Sequence, residues 1–120
     1  MFMISNFHPV LTVRLFADEK CFGPGIAQLL HRVEEYHSLR AAAASMAMAY
    51  SKAWSILKTS ERNLGFALLH STTGGKHGGG ATLTPEATAL LAAYESYCDT
   101  LNRYGKALFA ETFADYLKNS

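Results

Sequence analysis

The sequence predicts an α+β fold that is mainly helical. Three observations carry this. Residues 38–65, SLRAAAASMAMAYSKAWSILKTSERNLG, hold an Ala-rich helical segment, a tight break and a second helical segment. A glycine-rich segment, STTGGKHGGG at 71–80, lies between two short runs of strand type. From Thr84 onward, apolar residues recur every three or four positions almost to Leu117.

Taken in order, residues 1–9 show no clear period and read as a loose lead-in closed by Pro9. Val10–Phe16 (VLTVRLF) alternates apolar with polar residues and reads as a strand. Ala17–Cys21 reads as a charged turn. Pro24 suits a first helical turn, and Ile26, Leu29, Leu30 and Val33 follow at helical spacing, so Pro24–Tyr36 reads as an amphipathic helix. Ser38 can cap the next helix.

That helix, Leu39–Met46, carries Ala42 and Ala43, small enough to let another helix approach closely. Ala47 and Met48 break it. The segment Ala49–Leu64 then places Ala53, Ile56, Leu57, Ser60 and Leu64 on one face. The opposite face carries Ser51, Lys52, Ser55, Lys58, Thr59 and Arg62, with Glu61 to the side. Phe66–His70 and Ala81–Leu83 read as strands around the glycine-rich loop. Thr84-Pro85-Glu86 supplies a cap, a proline at the first helical position and an early carboxylate. The last helix carries the apolar stripe, with Gly105 as a place to bend or divide it, and Phe113, Tyr116 and Leu117 as a prolongation.

Strand, three helices, a glycine-rich hairpin and a long helix make a winged helix-turn-helix with a C-terminal helix left over. The expectation is a single domain over 1–120. Residues 10–83 form the core and wing, and 84–118 the long helix. Little of so small a domain is left to bury the stripe of that helix, so a homodimer is expected. The candidate dimerisation residues are Leu90, Leu91, Tyr94, Cys98, Leu101 and Leu108.

Charge is nearly balanced overall, with 11 basic and 10 acidic residues, but not evenly spread. Between Ser38 and Gly80 lie Arg40, Lys52, Lys58, Arg62 and Lys76 against Glu61 alone. An electropositive middle points to double-stranded DNA as the partner. No apolar run approaches the roughly 20 residues of a membrane span. The N-terminus lacks the basic and apolar regions of a secretory signal, so a cytoplasmic protein is expected. Cys21 and Cys98 are far apart in apolar surroundings and read as free thiols rather than a disulfide.

Three segments resemble one family. FGPG at 22–25, SLRAAAASMAMAYSKAWSIL at 38–57 and TGGKHGGGATLTPEA at 73–87 are similar to the N-terminal domain of ModE-type molybdate-dependent regulators. Those share their winged helix with LysR-type regulators. The resemblance covers roughly Val10 to Leu91 and implies a dimeric DNA-binding transcription regulator. Ala53-Trp54 and Met48-Ala49-Tyr50 match its recognition helix. Ala47 stands where the family usually has Gly in the turn, Ala49 where Ser caps the recognition helix, and Ser71 where a basic residue commonly leads into the wing. The family's molybdate-binding domains follow beyond such a helix, so no molybdate binding is expected of this chain.

The candidate DNA-binding residues are Arg40, Tyr50, Ser51, Lys52, Ser55, Arg62, Thr72, Thr73, Lys76 and His77. Lys52 can meet a base edge or a phosphate, and Lys76 and His77 can touch the backbone. Each has a bland alternative: a lysine on an exposed helix is often only solvated, and Tyr50 can be a core residue. Trp54 reads as core. Lys76 is followed by His77, so the glycine loop does not meet the nucleotide-binding pattern. The histidines and cysteines show no metal-ligand spacing, and no nucleophile–base set presents itself. No cofactor, metal or enzymatic activity is expected. The competing function is a winged-helix interaction module that holds a protein partner and has lost DNA binding.

Overall fold

The computed structural model describes residues 3–72 and 80–117, in two compact units. One comprises residues 13–92; the other comprises residues 1–12 and 93–120.

In the first unit a short hairpin pairs β1 (Leu15–Phe16) with β2 (Lys20–Phe22). The strand expected at Val10–Phe16 therefore shrinks to its last two residues, and the expected charged turn supplies its partner. Alternation alone does not make a strand; only Leu15 and Phe16 have a neighbour to pair with. Next come α1 (Pro24–Tyr36), α2 (Leu39–Ser45) and α3 (Tyr50–Leu64). Helix α1 has the predicted bounds. It ends at His37, whose left-handed backbone (φ 56°) lets its N–H donate to the Val33 carbonyl. Ser38 caps α2, its hydroxyl accepting the Ala41 N–H at 3.0 Å. Ala42 and Ala43 are fully buried.

A second hairpin pairs β3 (Leu69–Thr72) with β4 (Gly80–Leu83), in register from Leu69–Leu83 to Thr72–Gly80. The first of these strands lies later than the expected Phe66–His70. The Leu68 N–H is taken instead by the Glu61 carboxylate at 2.7 Å, so pairing begins only after it. The Ala81 N–H donates to the His37 carbonyl, tying β4 to the end of α1. Phe22, Leu29, Leu30, Val33, Leu57 and Leu68 anchor the core of this unit.

Helix α4 (Pro85–Thr112) contributes to both units. Thr84 starts it with a two-sided bond. Its hydroxyl accepts the Ala87 N–H at 3.0 Å and donates to the Ala67 carbonyl at 2.7 Å. The helix runs unbroken through Gly105, which instead makes room for a neighbour. A Cβ there would lie 2.6 Å from Leu11 Cδ1. It stops at Thr112, and a 3-10 turn, Ala114–Tyr116, replaces the expected prolongation.

Residues 1–9 are expected to be loosely ordered; those described are not. The Ile4 N–H donates to the Tyr116 carbonyl at 2.9 Å, and Ile4 bridges to Leu117. Phe7 packs on Phe109 and Phe113, with ring centroids 5.2 and 5.7 Å apart. Such contacts with the far end of the chain leave no periodic trace in the sequence. Within the second unit the N-terminal segment thus covers part of the late α4 surface.

Candidate nucleic-acid interface

The face of α3 that is turned away from the core follows from its period. Ala53, Leu57 and Ser60 are buried, so Ser51, Lys52, Ser55 and Lys58 stand exposed. The tight turn before it is made by Ala47 in the left-handed region (φ 53°) and a Met48 N–H that donates to the Ala43 carbonyl. Ala49 takes the N-cap position in extended backbone without a side-chain hydrogen bond. The first turn holds no acid. The Lys52 side chain makes no ion pair or hydrogen bond among the described residues; its backbone N–H donates to the Ala49 carbonyl at 3.1 Å.

Two other cations are already engaged. Lys58 Nζ lies 3.1 Å from the Glu61 carboxylate, so Glu61 is less remote from this face than its place in sequence suggests. Arg62 pairs with Glu19 of the first hairpin at 3.2 Å, with both side chains well exposed. Glu19 is held a second time, its N–H donating to Asn63 Oδ1.

Along one edge of α3, Arg40 of α2 lies over the Tyr50 ring, 4.2 Å from its centroid. One turn on, Trp54 is 49% exposed, with Lys58 5.6 Å from its ring centre. Trp54 is therefore not the core residue expected; Ala53 and Leu57 occupy the buried positions beside it. Along the other edge, Ser55, Ile56, Thr59 and Ser60 line a cleft of about 310 Å³ with Arg14, just before the first hairpin, and Lys20 within it. Among the described residues no carboxylate lines it. Both cations lie outside the electropositive middle of the sequence; only the fold brings them to α3.

Arg40, Tyr50, Ser51, Lys52 and Ser55 thus share one neighbourhood at the start of α3, and Arg62 lies near its end. Thr72 is exposed at the end of β3, opposite Gly80. Thr73, Lys76 and His77 lie outside the described residues. Of the candidate dimerisation residues on α4, Leu91 and Tyr94 are buried within the chain, and Leu90, Cys98 and Leu101 are half-buried. Leu108 is exposed, as are Tyr97 and Tyr104 on the same stripe. Among the described residues no helix is long and apolar enough to cross a membrane.

The family model for the bacterial regulatory helix-turn-helix proteins of the lysR family matches residues 27–88, from α1 into the start of α4. The chain belongs to that family. Similar relatives include the molybdenum transport protein ModE of Herbaspirillum seropedicae, 38% identical over 66 residues. That match spans 55% of this chain and 24% of the relative. The transcriptional regulator ModE of Haemophilus influenzae is 32% identical over 92 residues, 77% of this chain and 36% of the relative. The chain therefore spans well under half the length of these relatives. Among solved structures, the crystal structure of the CbnR_DBD–DNA complex superposes with a TM-score of 0.54 at 21% identity. It covers 72% of this chain and 93% of that one, a likeness of fold. The resemblance to ModE-type N-terminal domains and the winged helix-turn-helix fold accord with these matches.

Proposed function

We propose that this protein is a transcription regulator that binds double-stranded DNA as a homodimer. The observation that carries the reading is the exposed face of α3. It presents Ser51, Lys52 and Ser55 with no acid in its first turn, on a helix held from behind by Ala53, Leu57 and Ser60. An α-helix with its side chains is about 10–12 Å across and fits a major groove about 12 Å wide. In that pose Lys52 approaches base edges, and Arg40 takes the flanking phosphates. Lys76 and His77, placed on the wing by sequence, touch the backbone. Membership of a family of bacterial regulatory helix-turn-helix proteins, one relative named as a transcriptional regulator, and a DNA complex of the same fold support this assignment.

Dimerisation is assigned to α4. Tyr97, Leu101, Tyr104 and Leu108 recur at intervals of four and three, the spacing of a coiled-coil seam, and three of the four are exposed. Two recognition helices related by a two-fold axis favour paired half-sites separated by whole helical turns.

A salt titration on duplex DNA tests the reading. Lys76→Ala should weaken selected and scrambled duplexes equally and lower the salt slope by about one phosphate per subunit. Lys52→Ala, if the lysine meets a base, should cost about 1–3 kcal/mol per half-site on the selected duplex and far less on the scrambled one. Absence of duplex binding at low salt would overturn the assignment and favour a protein-interaction module.

A further inference from the structure

We infer that Trp54 reads the major-groove edge of a thymine, recognising its 5-methyl group; the inference rests on the DNA-binding reading above. Trp54 is the only tryptophan in the chain, and its ring stands 49% exposed on the second turn of α3. A large apolar ring at the surface of a small protein is informative in a way that an exposed leucine is not. Packing does not require it, because Ala53 and Leu57 already fill the buried side of the helix. Tyr50, one turn earlier, is exposed as well. Each ring has a cation over it, Arg40 on Tyr50 and Lys58 on Trp54. The edge of α3 thus alternates apolar surface with positive charge. That pattern suits a groove whose floor has apolar spots and whose walls are phosphate.

The indole's chemistry selects the base. It is a hydrocarbon body with a single N–H donor and no acceptor. In the major groove, guanine offers two acceptors and no apolar group, and cytosine offers a donor. Adenine sets a donor beside its acceptor. Thymine alone sets a methyl group beside a lone acceptor, O4. The ring covers the methyl while the N–H donates to O4, and Lys58 stays paired with Glu61 beside it.

The test uses the full chain and randomised duplex DNA. Bound duplexes are enriched, and the preferred site is resynthesised with deoxyuridine replacing each thymidine in turn, removing only the methyl group. One position per half-site should weaken the parent about fourfold, the worth of one buried methyl. Trp54→Ala should bind the thymidine site more weakly and lose this sensitivity. Trp54→Phe, which keeps an apolar ring, should retain it. The emission of the sole tryptophan should change when the preferred duplex binds. Because the ring is half exposed, neither variant should unfold, and circular dichroism checks this. Tolerance of deoxyuridine at every position, a preferred site without a fixed thymine, or an unchanged deoxyuridine penalty in Trp54→Ala would each overturn the inference while leaving DNA binding intact. No duplex binding by the parent at low salt would overturn both.

Discussion

Replacing Glu61 probes the tie between α3 and the strand that follows it. One carboxylate oxygen accepts the Leu68 N–H at 2.7 Å; the other lies 3.1 Å from Lys58 Nζ. Leu68 is fully buried, and the Glu61 side chain is only 14% exposed. Glu61→Ala leaves a buried backbone donor without its acceptor, which costs about 1–3 kcal/mol. The pair with Lys58 is half open to water on the lysine side and adds at most about 1 kcal/mol. Glu61→Gln loses that pair but keeps a carbonyl oxygen for the Leu68 N–H. The alanine variant should therefore lose about 2 kcal/mol, and the glutamine variant less than about 1 kcal/mol. Urea denaturation followed by circular dichroism measures both against the parent. Equal losses in the two variants would refute the argument, because the N–H acceptor would then contribute nothing. An alanine variant as stable as the parent would refute it as well.

Four further outcomes follow from the structure. Ala47→Gly should gain about 1 kcal/mol by removing the Cβ from a left-handed turn residue, and Ala49→Ser about 1 kcal/mol by supplying the absent cap; each should raise the denaturation midpoint. Gly80→Ala should cost about 1–3 kcal/mol, because its Cβ would lie 2.6 Å from Thr72 Oγ1 and 2.9 Å from the His37 carbonyl oxygen; a thermal melt measures it. Leu108→Asp should convert a dimer to a monomer in sedimentation without unfolding the chain, since Leu108 is exposed within one copy.

What was legible in the sequence was local. Helix α1 announced itself through Pro24 and a regular apolar period, and Ser38 and Thr84 were readable as caps because capping is a short-range bond. The buried face of α3 was readable for the same reason. Long-range pairings were not. Nothing near Lys20–Phe22 shows that it will pair with Leu15–Phe16, and nothing near Phe7 shows that it will stack on Phe109 and Phe113. Trp54 was misread because an indole beside a buried alanine fits either side of a helix boundary; 100° of rotation decides it. The neighbourhood of Lys52 was visible as a charge bias. The approach of Arg14 and Lys20 to α3 was not, because it depends on how the first hairpin packs.

The pairing of Ile4 with Tyr116 and Leu117 joins residues nearly the whole chain apart. During synthesis residues 4–7 leave the ribosome before the residues they pair with. They wait until residues 109–117 emerge, on the order of ten seconds later at ordinary elongation rates. The unit comprising residues 13–92 has all its own strands and helices before then and can fold first. Completion of the second unit thus comes later than that of the first. Ile4 and Phe7 stay open to chaperones until Phe109, Phe113, Tyr116 and Leu117 arrive.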